Sequence, residues 1–326
     1  MNKPWVKSLL KITGSVLIIW LLVSRISWDA DEFKRVLSDL DIGWFLLSLS
    51  GVVVVLGIKS VRWNLLLQQE DCNYPKWKSF MAYMSSFTIG LVTPGRIGEI
   101  ARLYYVREDT GVTFYRSFKT LVADRIFDFA MLAWFGFTGM LYFYKVMGDI
   151  SGLFYLLITA AIMFTAWGLA YFGLKVFIHP DTSRIGLKFI RETWNGMFNL
   201  PMVLPWLLTI VAYFLFYVAN WMIFESIGIR LSIIDIGFIL SLMSLATLIP
   251  ISLAGFGTRE ASLVYLLSFY AINPEVAIVF SLLQFTAFFL WGGIIGLLFW
   301  FYKPVKLNLI REDYRAFILY LKGKKQ

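Results

Sequence analysis

The amino-acid sequence predicts an all-α, polytopic integral membrane protein with about six full transmembrane helices and two re-entrant hairpins broken by Gly and Pro, arranged as an inverted repeat. Three observations carry this. Of its 326 residues, 59% are hydrophobic and only 16% charged, with a mean hydropathy of +0.71, a balance that soluble globular chains do not show. Six apolar segments reach the roughly 20 residues a helix needs to cross the hydrocarbon core. Two further apolar stretches are interrupted by helix breakers beside charge, in LVTPGRIGEIAR (Leu91 to Arg102) and LIPISLAGFGTRE (Leu248 to Glu260).

In chain order, the first span, 8–24, begins among Lys3, Lys7 and Lys11 and resembles a secretory signal. It has no small-residue cleavage site and is therefore expected to be a retained helix. The other spans are 43–66, 117–146, 151–178, 203–227 and 276–302, and the broken hairpins are 78–107 and 233–271. The segment 182–200 sets Ile185, Phe189, Trp194 and Phe198 at helical spacing with Arg184, Lys188 and Arg191 between them. Such a basic amphipathic helix lies on the inner leaflet, and 307–323 repeats the pattern with Ile310, Tyr314, Phe317 and Leu321. The 13 Trp and 16 Tyr suit interfacial belts. The whole chain, 1–326, is one membrane domain with repeat units at 78–146 and 233–303.

Charge distribution orients the spans. With a cytoplasmic N-terminus, Arg25, Lys34, Arg35, Lys145 and Arg230 fall outside, Arg96, Arg125 and Arg259 within the membrane, and the rest of the 30 Lys and Arg, Lys59 and Arg62 included, inside. The positive-inside rule then fixes the orientation, with both termini cytoplasmic, and the plasma (inner) membrane is the expected location. The acidic loop of Asp29, Asp31, Glu32, Asp39 and Asp41 is external. Three crossings separate the hairpins, so hairpin one enters from the cytoplasm and hairpin two from outside, as in alternating-access transporters. The halves also align weakly, with Gly95 on Gly255, Leu103 on Leu263 and Tyr105 on Tyr265.

The net charge of +9 lies on one side of a membrane and does not mark a nucleic-acid binder. A lone cysteine, Cys72, excludes an internal disulfide, and a lone histidine, His179, argues against a metal centre. No cofactor is expected.

The candidate functional residues sit at the breaks. In hairpin one, Pro94 and Gly95 stop the incoming helix and an outgoing one starts near Arg96, with Gly98, Glu99 and Arg102 in its first turns. A helix N-terminus carries about half a positive charge, so Arg96 there is repulsive unless an anion is present. Free N–H groups beside glycines form a phosphate site. Hairpin two repeats the chemistry with Gly255 and Gly257 leading into Thr258, Arg259 and Glu260. The structural alternative is that Glu260 caps the helix while Arg259 pairs with a carboxylate on a neighbouring helix.

The third span carries Asp124, Arg125 and Asp128. Counted from Phe118, Asp124 lies about 9 Å deep and Asp128 about 15 Å. Charges this deep each cost about 2.5–3.5 kcal/mol or more on insertion scales, so they must be paired or hydrated. Either Arg125 and Asp128 form a local ion pair, or the group is a proton or head-group relay. The aligned positions in the second half are Gln284, Phe285 and Phe288, and Gln284 is the polar counterpart of Asp124.

Together TPGRIGEIARLYYV, ADRIFDF and PISLAGFGTREASLVYLL resemble, in this order, the flippase-like family that includes the lysylphosphatidylglycerol synthase transmembrane region. The resemblance implies movement of a polar lipid between leaflets: an aminoacylated phospholipid, another phospholipid or a polyprenyl-phosphate-linked sugar. By matching motif positions it points to Gly95, Glu99, Arg102, Asp124, Arg125, Asp128, Gly257, Arg259 and Glu260. Little chain follows the last span, so the soluble aminoacyl-transferase domain of full-length synthases is expected to be absent, and the protein is not expected to be an enzyme. Two alternatives stand: an intramembrane transferase with Mg²⁺ on Asp124 and Asp128, or a regulatory membrane subunit.

Overall fold

The broken hairpins and long apolar runs translate into helices of two kinds, long continuous ones and short pairs. The computed structural model describes residues 29–144, 185–197, 199–248 and 257–304. Among them there is no strand. In order they form α1 (Ala30–Ser38), α2 (Ile42–Gln69), α3 (Lys76–Val92), a 3₁₀ segment (Pro94–Ile100), α4 (Ala101–Thr110), α5 (Phe114–Tyr144) and α6 (Ile185–Gly196). After these come α7 (Val203–Ser226), α8 (Ile233–Leu248), α9 (Thr258–Ser268), α10 (Pro274–Phe285), a π segment (Thr286–Trp291) and α11 (Gly292–Tyr302).

Four of the expected spans are present as helices long and apolar enough to cross a membrane: Ile42–Gln69, Phe114–Phe143, Leu200–Ser226 and Pro274–Tyr302. The first has 28 residues, about 42 Å of helix against a hydrocarbon core of about 30 Å. The expected spans 8–24 and 151–178, the C-terminal segment 307–323 and Gly255 lie outside the described residues. Both broken segments contain short helices: α3 and α4 flank the first break, and α8 and α9 lie on either side of the second. The amphipathic segment forms α6, whose Phe189 is buried against Tyr115 and Phe118 at ring-centroid distances of 5.4 and 5.7 Å.

One expectation is corrected. The outgoing helix of the first hairpin does not start at Arg96. A 3₁₀ segment fills Pro94–Ile100, and the α-helix begins at Ala101. Pro94 stands in its first turn, where the missing N–H is harmless. Thr93 Oγ1 then accepts from Gly98 N at 2.8 Å and donates to Ile89 O at 3.0 Å, tying the tight turn to the last turn of α3. A Cβ at Gly98 would collide with the Ile89 carbonyl, so only glycine lets the segment lie flush on α3. Arg96 takes a positive φ of 55° within it, an uncommon backbone state for a side-chain-bearing residue.

The described chain falls into two compact units. The first comprises 29–54, 132–144, 214–248 and 257–291; the second comprises 55–131, 185–197, 199–213 and 292–304. In the first unit glycines bring helices into contact: Gly51 faces Ala219, Gly136 faces Leu245 and Gly139 faces Phe238. Lipid supplies no hydrophobic drive between apolar helices, so such close packing supplies the attraction. Phe224 stacks on Phe280 with centroids 3.8 Å apart.

In the second unit α11 lies against α3. Gly292 meets Phe87, a Cβ at Gly296 would strike the Met84 carbonyl and Thr88 Oγ1, and Thr88 Oγ1 donates to Gly293 O at 2.8 Å. Nearby Leu66, Ala123, Phe127, Met197 and Met202 form a buried cluster, with Trp206 4.5 Å from Phe127 between ring centroids.

Candidate functional site

A charge on an apolar span persists only with partners, and the second unit supplies them to Asp124 and Asp128. Positions i and i+4 put the two carboxylates on one face of α5. Facing them are Lys59 and Arg62, one turn apart on α2. Arg62 donates to Asp124 Oδ1 through Nε at 2.9 Å and Nη2 at 2.6 Å, to Asp128 Oδ1 at 3.0 Å and to Thr209 Oγ1 at 3.0 Å. Arg102, on the first turn of α4, donates to the other oxygen of Asp124 at 2.8 Å. Its guanidinium lies 4.9 Å from the Trp63 ring centroid and 4.8 Å from that of Tyr83. Lys59 reaches Asp128 Oδ1 at 3.0 Å and sits over the Tyr213 ring at 4.7 Å.

Arg125 links this group to the broken hairpin. Its Nη2 lies 3.0 Å from Asp124 Oδ2, 3.4 Å from Asp128 Oδ2 and 3.2 Å from Glu99 Oε2. Glu99 in turn lies 3.7 Å from Arg96 Nη1, whose guanidinium stands 5.7 Å from the Phe87 ring centroid. Exposure rises in the same order. The side chains of Arg62 and Asp124 are 0% exposed and Arg102 1%, whereas Arg125 is 38% and Arg96 46% exposed. The cluster has a dry floor and a wet rim.

A cavity opens at that rim, enclosing about 300 Å³ of empty space with its mouth included. Lys59, Arg96, Glu99, Arg125 and Asp128 carry its charge, and α3 supplies Tyr83, Ser86 and Phe87. All belong to the second unit. The local Arg125–Asp128 pair exists, as one contact in a larger network. Both oxygens of Asp124 and of Asp128 face cationic side chains, unlike the carboxylate pair that would hold Mg²⁺. Among the described residues no group of three or more His, Cys, Asp or Glu is placed to hold a metal.

In the first unit, Glu260 caps α9, accepting from Gly257 N at 2.7 Å, with Gly257 at a φ of 90°. Among the described residues Arg259 pairs with Glu260, its own neighbour, at 2.6 Å. The neighbouring helix α10 supplies Ser281, which accepts from Arg259 Nε at 2.8 Å and donates to Glu260 Oε1 at 2.9 Å. Gln284 is buried and donates to Asn220 Oδ1 at 2.8 Å, an amide–amide contact. Pro94 and Gly95 lie in the 3₁₀ segment, where they shape its backbone.

The profile of the lysylphosphatidylglycerol synthase TM region matches residues 8–306. The chain belongs to that family. Its role is therefore tied to membrane lipid, and it is a multi-pass membrane protein. A membrane protein of the UPF0104 group from Methanocaldococcus jannaschii is 23% identical over 318 residues, covering 88% of this chain and 94% of the relative.

For this member of the family, the sequence reading missed Lys59, Arg62 and Tyr83. It placed Lys59 and Arg62 among the cytoplasmic charges although both stand within its own span 43–66. In the structure Arg62 is wholly buried and Lys59 is 17% exposed, both paired with carboxylates of α5. The rule that singled out Asp124, that a charge inside a span needs a partner, applies equally to these two.

Proposed function

We propose that the protein is a lipid flippase that moves a phosphate-bearing polar lipid between the leaflets of the plasma (inner) membrane by alternating access, with both termini cytoplasmic. One observation carries the reading: a buried floor of Arg62, Asp124 and Arg102 opens into a cavity whose rim carries Arg125 and Arg96. Even leaving Arg96 aside, Lys59, Arg62, Arg102 and Arg125 outnumber Glu99, Asp124 and Asp128 among the described residues. A surplus of cationic donors, three of the four being guanidinium groups, in a partly dry cavity favours phosphate, which accepts paired N–H bonds from arginine. The head group enters the cavity while the hydrocarbon tails stay in the bilayer.

The family match supports a lipid ligand, and its name draws attention to aminoacylated phospholipids. Another phospholipid or a polyprenyl-phosphate-linked sugar fits the same chemistry. The Gly/Pro breaks at two places along the chain support an inverted repeat with units at 78–146 and 233–303. In this reading the protein catalyses no covalent step and needs no cofactor.

The test is reconstitution into liposomes carrying head-group-labelled phosphatidylglycerol or lysylphosphatidylglycerol in both leaflets, followed by a membrane-impermeant quencher. Quenching beyond the outer-leaflet share, faster than in protein-free vesicles, is the expected result. No acceleration for any anionic or aminoacylated lipid overturns the proposal.

A further inference from the structure

We infer that Glu99 is an exchangeable counter-ion: the phosphate of an entering anionic ligand takes over its contacts with Arg125 and Arg96, so Glu99 competes with the ligand and sets its release. This rests on the reading of the cavity as an anion site.

The carboxylates of the cluster are held unequally. Asp124 has contacts of 2.6 and 2.8 Å to Arg62 and Arg102, within the range of fully formed charge-assisted bonds or shorter. Glu99 stands 3.2 and 3.5 Å from Arg125 and 3.7 Å from Arg96. It is the loosest of the three, and its partners are the two most exposed cations of the network. An incoming anion meets Arg125 and Arg96 before anything on the floor.

The fold lets the carboxylate leave without unpacking its segment. Gly98 lies on the Ile89 carbonyl, and Glu99 Cγ lies where a Cβ on Gly90 would approach to 2.8 Å, so the stem of Glu99 is seated on α3. Rotation about its outer bonds moves the charge alone. Arg125 keeps its contacts with Asp124 and Asp128 at 3.0 and 3.4 Å while Glu99 turns away, so it stays aimed at the cavity.

Glu99→Gln keeps the shape and removes the competing charge; Glu99→Asp keeps the charge and shortens its reach. The purified proteins in detergent are titrated with dioctanoyl phosphatidylglycerol, inorganic phosphate and dioctanoylglycerol, which has no phosphate. Glu99→Gln is expected to bind the phosphate-bearing probe about two- to fivefold more tightly, the scale of one partly exposed ion pair, and to release it more slowly. Glu99→Asp gives a smaller gain and covers the case in which the amide variant does not fold; dioctanoylglycerol is unaffected. A gain for the lipid alone identifies a lipid head group as the ligand, and a gain for inorganic phosphate alone identifies free phosphate. Unchanged or weaker binding of every phosphate probe in the variants overturns the exchange, the weaker case meaning that Glu99 contacts a cationic part of the ligand. A wild-type protein that binds no phosphate probe instead refutes the anion-site reading itself.

Discussion

Arg62 and Asp124 form an ion pair with neither side chain exposed, joined by two hydrogen bonds of 2.6 and 2.9 Å to the same carboxylate oxygen. Their residues lie 62 positions apart on different helices. Breaking a buried pair from one side leaves an uncompensated charge and costs about 3–5 kcal/mol. Removing an arginine at the wet rim leaves charges that water can reach. Apparent melting temperatures in detergent should therefore fall most for Arg62→Ala, less for Arg102→Ala and least for Arg125→Ala. Equal losses at Arg62 and Arg125 would contradict the gradient from floor to rim.

Arg125 separates charge from geometry. It contacts Glu99, Asp124 and Asp128 through a planar fork that a lysine ammonium cannot reproduce. Arg125→Lys should retain part of the lipid translocation and Arg125→Ala should lose most of it, both with near-normal insertion. Full activity in the alanine variant, measured in the quenching assay, would remove Arg125 from the transport path.

The contact of α3 with α11 depends on a missing methyl group. A Cβ at Gly296 meets the Met84 carbonyl, a backbone atom that cannot rotate aside. Gly296→Ala should cost about 1–3 kcal/mol by overpacking, even though alanine is the better helix former. A melting temperature equal to wild type would show that the two helices can part without penalty.

Outside the spans, Asp109 accepts from Lys303 at 2.7 Å and from Tyr74 at 2.9 Å. Burial alone would raise its carboxyl, but these hydrogen bonds and the charges of Lys303 and Lys78 hold it below its ordinary value. Burial likewise works against the Lys303 ammonium, while Asp109 and Glu108 raise it above its ordinary value. A depressed carboxyl contributes stability above its unfolded value of about 3.9 and loses it as pH falls further. A raised ammonium contributes below about 10.4 and loses its share as pH rises through the folded value. The pair thus supports the fold across the range between. Asp109→Asn should flatten the acid limb of the melting-temperature profile below about pH 4, and an unchanged limb would count against the linkage.

Much of the architecture was legible because lipid imposes simple demands. Four spans were found at nearly their observed limits, since a helix in hydrocarbon must satisfy its own backbone and show an apolar surface of fixed length. The break at Pro94 was equally readable, because proline and glycine act locally. Its form was not: whether the chain resumes as α-helix or first makes a 3₁₀ turn depends on Gly98 seating against Ile89 and on Thr93 reaching Gly98 N.

The cluster shows the division most clearly. That Asp124, Arg125 and Asp128 need partners or water follows from the sequence alone, because an isolated charge at that depth is too costly. Which residues answer them was settled by tertiary structure. Arg62 and Lys59 stand near the end of an apolar run, where a sequence reading takes them for charges facing water, and only the packing of α2 against α5 turns them inward. Arg259 shows the converse, since it pairs with the adjacent Glu260 while the neighbouring helix contributes Ser281. Burial energetics along one helix state that a charge must be satisfied, and long-range packing selects the residue that satisfies it.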